Sequence, residues 1–419
     1  LGVLSWRFVG AGLAFASTVA VTRLLGASMA GIYFLAVTLS TIVITISRLG
    51  LDLPTMRLVS TSSRSSGSPS ERSVMKESVR LAGLVALGLT AALFVSAPLL
   101  SALFREPALT SMVRLTSLGV LPAVLAVLYA RGLIGVGRPE LAEFGQRAGF
   151  HSVFLGLLIV LIPPLRQLAP GAAFTLAQSA MLVLLIVIWL SSTQRGERTA
   201  NTKALRSELM SSGLPLLIAA AMNLVVSWSD SLMLGYFLDS AAIGLYSAAV
   251  RVATVVSFVL VATGSIAGPR FAELLVSQDL SGLGRVFRRA SWGSGLAALA
   301  IAIPLFVFAP FILSLFGKDF PEVADTLRLL IAAQLFHSAA GLVGLLLAMA
   351  KRERRLLYAA GLSAGLNIIL NTVLIPKYGT LGAAASTTVA LLTLNGACTL
   401  WVYRDLGLSI FRPPATGSP

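Results

Sequence analysis

Asp230 lies in the stretch NLVVSWSDSLMLGYFL (223–238), which is otherwise apolar or weakly polar. Of the 17 acidic residues, it is the one that falls well inside a predicted membrane span, whereas the others lie in predicted loops or at span ends. A carboxylate at the bilayer centre costs about 2.5–3.5 kcal/mol on insertion scales, so it is expected to face protein or water and to have a partner. Asp230 is therefore the first candidate site residue.

Arg251 is the candidate partner of Asp230. A turn near 238–241 places Asp230 roughly 10 Å and Arg251 roughly 15 Å deep at about 1.5 Å per residue, a difference that a long Arg side chain can close. The two residues could form a structural ion pair, or they could lie in a substrate or ion pathway. The sequence leaves both possibilities open, and they do not exclude each other.

Three further residues are candidates for a hydrated substrate or ion pathway. Asn223 and Ser227 precede Asp230 by about two turns and one turn on the same predicted helix. Arg7, in the first predicted span, could reach toward a phosphate, or its side chain could extend to the membrane interface. Asn367 and Asn371, at i and i+4, are expected to be packing contacts between helices.

The sequence carries no motif of the common enzyme classes. It has two histidines and one cysteine, and neither an HExxH, a P-loop, a GxGxxG nor a nucleophile-elbow pattern. A P-loop ATPase is therefore excluded, and neither a cofactor nor a metal site is predicted. Transport by this chain would have to be driven by an ion gradient, the membrane potential or the substrate's own gradient.

The composition is that of a membrane protein. Hydrophobic residues make up 56% and charged residues 12% of the 419 residues, and the mean hydropathy is +0.88. Soluble domains carry roughly a quarter charged residues. The net charge of +15 is spread singly between apolar runs, which argues against nucleic-acid binding.

Runs of about 20 apolar residues, the length that crosses a bilayer as helix, predict twelve spans. These are 4–22, 29–47, 81–103, 115–135, 148–164, 171–191, 212–236, 242–266, 293–315, 328–350, 356–375 and 381–403. The C-terminal tail and every second loop hold 23 Lys and Arg, against seven in the opposite set. By the positive-inside rule both termini are cytoplasmic.

The domain organisation follows from the spans. We predict an N-terminal six-helix bundle (1–191), a cytoplasmic linker (192–210), a C-terminal six-helix bundle (211–404) and a cytoplasmic tail (405–419). LGASMAGIYFLAVTLSTIV (25–43) aligns with LDSAAIGLYSAAVRVATVV (238–256) at an offset of 213 residues. An even number of spans per half makes the repeats parallel, an arrangement typical of alternating-access transporters.

The stretch GAGLAFASTVAVTRLLGASMAGIYFLAVTLSTIV (10–43), followed by RLGLD (48–52), resembles the first helical hairpin of a known family, and DSLMLGYFLDSAAIGLYSAAVRVATVV (230–256) resembles its seventh and eighth helices. This family comprises the Wzx-like polysaccharide-biosynthesis flippases of the multidrug/oligosaccharidyl-lipid/polysaccharide (MOP) superfamily. The resemblance implies an all-α, V-shaped fold of two bundles. It also implies that Asp230 and Arg251 face a central cavity.

The function implied by the resemblance is transfer of an undecaprenyl-diphosphate-linked oligosaccharide from the cytoplasmic to the outer leaflet of the bacterial inner membrane. The product would serve a surface polysaccharide such as O-antigen or exopolysaccharide. Partners would be the lipid-linked oligosaccharide, membrane lipids and other polysaccharide-assembly proteins. Few basic residues fall within spans, so a cationic cavity requires Arg48, Arg80 or Arg147 to turn inward.

Two alternatives stay open at this stage. A drug or organic-cation antiporter of the same superfamily would need acidic residues in its cavity. Asp230 is the one acidic residue that lies well inside a predicted span. A membrane-embedded glycan polymerase or ligase would carry a large outer loop, whereas the longest predicted outer loops here have about a dozen residues. Twelve spans disfavour the fourteen-helix lipid II flippase branch.

Overall fold

The computed structural model describes residues 2–62, 69–193, 202–340 and 342–409, and every regular element in these ranges is helical. Fifteen α-helices are labelled in chain order: α1 Gly2–Ser47, α2 Asp52–Ser62, α3 Glu71–Phe104, α4 Leu109–Leu118, α5 Val120–Gly135, α6 Pro139–Glu143, α7 Phe150–Leu165, α8 Ala169–Ser192, α9 Thr202–Phe237, α10 Ser240–Val276, α11 Leu280–Val307, α12 Ala309–Ser314, α13 Ala324–Ala340, α14 Leu342–Met349 and α15 Glu353–Leu406. A π-helical segment, Phe144–Gly149, joins α6 to α7, and short 3-10 turns cover Arg166–Leu168 and Phe320–Val323. The predicted all-α class is confirmed.

Three long helical segments each contain two predicted spans. Ser5–Ser47, Pro139–Ser192 and Arg354–Leu406 have 43, 54 and 53 residues, about twice what one crossing requires. Eight segments of the described residues are long and apolar enough to cross a membrane. Counting two crossings for each of these three and adding the 36-residue α9 gives the predicted twelve.

Backbone breaks divide these long segments. Gly26 interrupts α1 with φ 76° and ψ 175°, and Gly379 interrupts α15 with φ 58° and ψ −133°. Arg166 ends α7 with φ 47° and ψ −114°. Positive φ with such ψ values is easily reached only by glycine, so the two glycines let each helix change direction without steric strain.

The breaks recur at the spacing of the sequence repeat. Arg166 and Gly379 are 213 residues apart, and so are Gly26 and Asp239, the second of the two residues between α9 and α10. The Asp239 carboxylate accepts a hydrogen bond from the Ala242 amide at 2.9 Å and so caps α10. The two halves of the chain therefore place their helix ends at equivalent positions, which supports the internal repeat.

The chain divides by packing into two compact units, Leu1–Leu224 and Val225–Pro419. The division falls inside α9. The first unit has a core around Leu109, Met112, Leu128 and Leu133, and the second has a core around Phe271, Phe287, Leu346 and Leu347. The predicted limits of the two six-helix bundles and the cytoplasmic position of the termini stay predictions.

The surface of these helices is apolar, while their contacts include many polar groups. Side chains such as Val95, Leu99 and Ile159 are exposed, as expected where lipid covers the protein. Between helices, Ser40 Oγ donates to Thr116 Oγ1 at 3.0 Å and Thr55 Oγ1 donates to Ser78 Oγ at 2.9 Å, both buried. Small residues and hydroxyl pairs of this kind hold helices together in lipid.

Replacing Gly26 by alanine should destabilise the first unit by about 1–3 kcal/mol, because a Cβ is disfavoured at its φ and ψ. A Cβ at this position would meet no neighbouring atom, so the cost lies in the backbone alone. The measurement is denaturant or thermal unfolding of the purified protein in detergent. Gly12→Ala on the same helix, where the added Cβ also meets nothing, is the matched control and should be neutral or slightly stabilising. Equal stability of the two variants would contradict this account.

Candidate functional site

Asp230 lies at the centre of a buried polar cluster in the second unit. The cluster is formed by α9, α10 and both parts of α15, on either side of the break at Gly379. Asp230 is 8% exposed. Its neighbours are Ser229, Tyr246, Asn367, Asn371 and Thr387.

Four neutral groups donate hydrogen bonds to the Asp230 carboxylate. Oδ1 accepts from Asn371 Nδ2 at 2.6 Å and from Asn367 Nδ2 at 3.2 Å. Oδ2 accepts from the Tyr246 hydroxyl at 2.7 Å and from the Thr387 hydroxyl. A carboxylate has about four lone-pair positions, and bonds to a charged acceptor contribute about 1.5–3 kcal/mol each. These four donors therefore offset much of the cost of burying the charge.

A second layer of polar groups surrounds the carboxylate. Asn367 Oδ1 accepts from Ser229 Oγ at 2.7 Å and from Asn371 Nδ2 at 3.1 Å. The amide oxygen of Asn371 is buried and finds no hydrogen-bond partner among the residues that the structure describes. Carboxylate, amide and hydroxyl oxygens are the ligands that hard cations take. Donors occupy all four lone-pair positions of the Asp230 carboxylate, whereas the Asn371 amide oxygen is left without a donor among the described residues.

The equivalent positions of the first unit carry no charge and are mostly aromatic or apolar. The repeat offset of 213 residues relates Tyr246 to Tyr33, Asn367 to Phe154 and Thr387 to Phe174. The Tyr33 and Phe154 rings stack with centroids 6.1 Å apart, and Phe150 contacts both Phe154 and Phe174. Asp230 itself corresponds to Ser17, whose Oγ lies 3.2 Å from His151 Nδ1. The first unit thus has a hydroxyl where the second unit buries a carboxylate.

The structure describes the predicted site residues of the second half of the chain to different extents. Asp230 is buried as expected, and its described donors are the neutral groups above. Arg251 lies on α10, where its carbonyl accepts from Thr254 Oγ1 at 2.9 Å, and the Asp230–Arg251 ion pair stays a prediction. Asn223 and Ser227 lie on α9, but their side chains fall outside what the structure describes.

Sequence reasoning missed part of this cluster. Tyr246 and Thr387 were not singled out, and Asn367 and Asn371 were expected to be packing contacts only. The i, i+4 spacing of the two asparagines was the usable signal, because it places both amides on one face of α15. Nothing in the sequence indicates that this face meets Asp230, which precedes Asn367 by 137 residues.

Arg7 belongs to a second polar group, in the first unit. Its Nη2 donates to Glu143 Oε1 at 2.8 Å, and Arg147 Nε donates to Glu143 Oε2 at 2.9 Å. The Glu143 side chain is 12% exposed, against 42% for that of Arg7. The sequence placed Glu143 in a loop or at a span end and gave it no role. The structure makes it the acceptor that holds two arginines together.

A cavity of about 250 Å³ lies beside this group. Its polar lining consists of Arg131, Glu143, Gln146, Arg147 and His151. Arg147 and Gln146 lie in the π-helical segment Phe144–Gly149, a helix type that often occurs at functional sites. Two arginines and one carboxylate make the lining cationic, and guanidinium groups bind phosphate oxygens well.

The three arginines that could make a cavity cationic, Arg48, Arg80 and Arg147, have different surroundings. Arg147 lines the cavity just described. Arg48 donates to Asp52 Oδ2 at 2.7 Å and lines a separate cavity of about 170 Å³. Arg80 is exposed. Of the three, Arg147 has the surroundings of a binding residue.

Solved transporters share this fold. An inward-facing multidrug resistance MATE family transporter of the MOP superfamily superposes with a TM-score of 0.76 at 15% identity, covering 94% of each chain. The lipid II flippase MurJ in an inward closed conformation gives a TM-score of 0.75 at 15% identity, over 96% of this chain and 87% of MurJ. At this identity the likeness concerns the fold.

Sequence relatives point to glycan flippases. The chain is 26% identical over 165 residues to the probable low-salt glycan biosynthesis flippase Agl15 of Haloferax volcanii, and 25% identical over 168 residues to the probable flippase AglR of the same organism. Each match covers 39% of this chain and 35% of the relative, so the chain spans about a third of the length of these relatives.

Two family models match the chain. The MatE model matches residues 215–373, and the model described as polysaccharide biosynthesis protein matches residues 3–275. With the fold and the relatives, these matches favour a multi-pass membrane transporter over the glycan polymerase alternative. Since the second match covers more than half of the chain, the protein belongs to the polysaccharide biosynthesis protein family.

Proposed function

We propose that the protein transfers a lipid-linked oligosaccharide, carried on a polyprenyl diphosphate such as undecaprenyl diphosphate, from the cytoplasmic to the outer leaflet for surface polysaccharide synthesis. The family match supports the substrate class, and the basic loops support cytoplasmic termini. The membrane would be the plasma membrane of a bacterium, where other polysaccharide-assembly proteins would be its partners. The matched relatives include archaeal flippases.

The observation that carries the mechanism is the buried Asp230 cluster. One carboxylate joins α9, α10 and both parts of α15 through neutral donors. A proton or Na⁺ taken up at Asp230 would change the hydrogen bonds of three helices at once. An ion can shift a conformational equilibrium only through different affinities for the two states. We place the coupling ion at Asp230 for this reason.

The cationic cavity of the first unit would hold the phosphate end of the substrate. Arg131 and Arg147 line it, and Glu143 holds Arg7 and Arg147 beside it. A diphosphate could displace the Glu143 carboxylate from the guanidinium groups, because both are oxygen anions of similar hydrogen-bonding geometry. Arg7 would then keep the role in the substrate pathway that its position in the sequence suggested, with Asn223 and Ser227 as further pathway candidates.

A second candidate function is ion-coupled antiport of drugs or organic cations. The MatE match over residues 215–373 and the likeness to a MATE transporter favour it. An organic cation would use the Asp230 carboxylate directly. It would not need the arginine-lined cavity of the first unit.

Asp230→Asn should abolish transport while expression and membrane insertion stay near those of the parent protein. The amide is close in shape to the carboxylate but carries no charge and cannot take up a coupling ion. The measurement is lipid-linked oligosaccharide transfer in proteoliposomes, with size-exclusion chromatography to check folding. Asp279→Asn, at the N-cap of α11, is the control, since Asn caps helices as well as Asp. Normal transport by Asp230→Asn would refute a coupling role.

Thr387→Val should lower the concentration of the driving ion needed for half-maximal transport by about tenfold or more, because the lost hydrogen bond stabilises the charged, ion-free carboxylate. The substitution keeps the shape of the side chain and removes one hydrogen bond to a charged acceptor, which contributes about 1.5–3 kcal/mol. Transport would be measured separately under a Na⁺ gradient and under a pH gradient. Thr388→Val is the matched control, because Thr388 Oγ1 donates to Ala384 O of its own helix at 2.7 Å. Equal shifts in both variants would argue against an ion site at Asp230.

Arg147→Gln should raise the half-saturating concentration of a polyprenyl-diphosphate-linked oligosaccharide by about tenfold, through loss of a charge-assisted hydrogen bond to phosphate. Uptake of an organic cation such as rhodamine 6G should be unaffected if it occurs at all. The control is Arg138→Gln, an exposed arginine outside the cavity lining. Rhodamine transport together with no transfer of the glycan lipid by the parent protein would favour the antiporter.

A further inference from the structure

A large apolar groove opens on the second unit between α11, α13 and α15. Its volume is about 690 Å³. Most of its lining is aliphatic or aromatic and includes Trp292, Leu296, Leu299, Phe336, Leu400 and Tyr403. This groove is separate from the Asp230 cluster and shares none of the residues that bond to Asp230.

One end of the groove is basic. On α11, Leu299, Leu296 and Trp292 follow one another at helical spacing, and the same stripe continues toward the start of the helix as Arg289 and Arg285. Both arginines are exposed. On α15, the lining residue Leu400 is followed one turn later by Arg404, which is also exposed. The positive charges thus gather at one end, which the loop charges predict to face the cytoplasm.

A buried hydroxyl lies at the same end. Ser291 lines the groove and is 1% exposed, and its Oγ has no hydrogen-bond partner among the residues that the structure describes. Burying a hydroxyl without a partner is unfavourable. A ligand oxygen in the groove would supply the missing acceptor. Tyr403 on α15 also lines the groove and offers a second hydroxyl.

We propose that this groove binds one anionic phospholipid of the surrounding bilayer, with an acyl chain along the apolar walls and the phosphate near Arg285, Arg289 and Arg404. The ligand must be an amphiphile with an anionic group at one end, because the groove is apolar along its length and basic at one end only. Basic pockets between membrane helices on the cytoplasmic side bind anionic headgroups in this way. The inference does not depend on the proposed flippase function.

A lipid bound in this groove would affect how the helices of the second unit pack. It would contact α11, α13 and the second part of α15 together. The same α15 carries Asn367, Asn371 and Thr387, which bond to Asp230. A bound phospholipid would therefore stabilise the packing of the helix on which the Asp230 cluster depends.

Native mass spectrometry of the delipidated full chain tests the proposal. Dioleoyl-phosphatidylglycerol should bind with one tight site, at least about tenfold stronger than dioleoyl-phosphatidylcholine, since basic residues at the membrane surface attract anionic headgroups. Replacing Arg285, Arg289 and Arg404 by glutamine should remove this preference. Gly396→Leu should abolish the tight site, because a Cβ on this lining glycine meets no atom within 4 Å and a leucine would extend into the groove.

Two control proteins distinguish a loss of lipid binding in the groove from the general effects of a larger side chain or of lost positive charge. Gly293→Leu makes the same change on α11 at an exposed glycine that is outside the lining and also meets no neighbour. A triple change of Lys76, Arg80 and Arg138 to glutamine removes the same charge from exposed positions of the first unit. Both control proteins should retain the tight site for phosphatidylglycerol.

Three results would overturn the proposal. Equal binding of phosphatidylglycerol and phosphatidylcholine would show that the basic end does not select the headgroup. An unchanged tight site in Gly396→Leu would place the lipid elsewhere. Stronger binding of undecaprenyl phosphate than of phosphatidylglycerol, lost in Gly396→Leu, would assign the groove to a polyprenyl carrier chain instead.

Discussion

A carboxylate surrounded by hydrocarbon has to be satisfied by its own protein, because lipid offers neither hydrogen bonds nor counter-charge. Asp230 meets this constraint with donors from α10 and from both parts of α15. The contacts require these helices to meet at one point. The break at Gly379 lies between the asparagines and Thr387 and lets one long helical segment approach the carboxylate from two directions. The arrangement of the second unit thus centres on one charge.

Comparing the two repeats distinguishes the features that both units share from those that only one unit has. The helix breaks recur at the same spacing in both units. At equivalent positions, however, the first unit has aromatic rings and the hydroxyl of Ser17, and the second has the polar cluster around Asp230. Aromatic packing stabilises such a contact without burying a charge. That the second unit nevertheless buries one is the basis of the ion-binding role that we propose for Asp230.

The first unit concentrates its charges elsewhere. Glu143 holds Arg7 and Arg147 together at the edge of a cavity lined by further polar groups. The Glu143 side chain is only 12% exposed and accepts from both guanidinium groups, so it fixes where these groups lie. The two polar sites therefore differ in charge, since arginines line the first and a carboxylate is the centre of the second. This difference suits a transporter whose substrate and driving ion have opposite charge.

The sequence by itself determined the membrane class, the helical fold, the twelve spans and the internal repeat, because hydrophobic run length and loop charge are local properties of the chain. It also identified Asp230 and Arg7, since a charge within an apolar run stands out without any structure. Only the tertiary structure decided what meets them. Tyr246, Asn367, Asn371 and Thr387 converge on Asp230 from helices far apart in sequence, and Glu143 reaches Arg7 across 136 residues. Such contacts depend on how helices pack and break, and an ordinary asparagine or threonine in a span carries no signal of its distant partner.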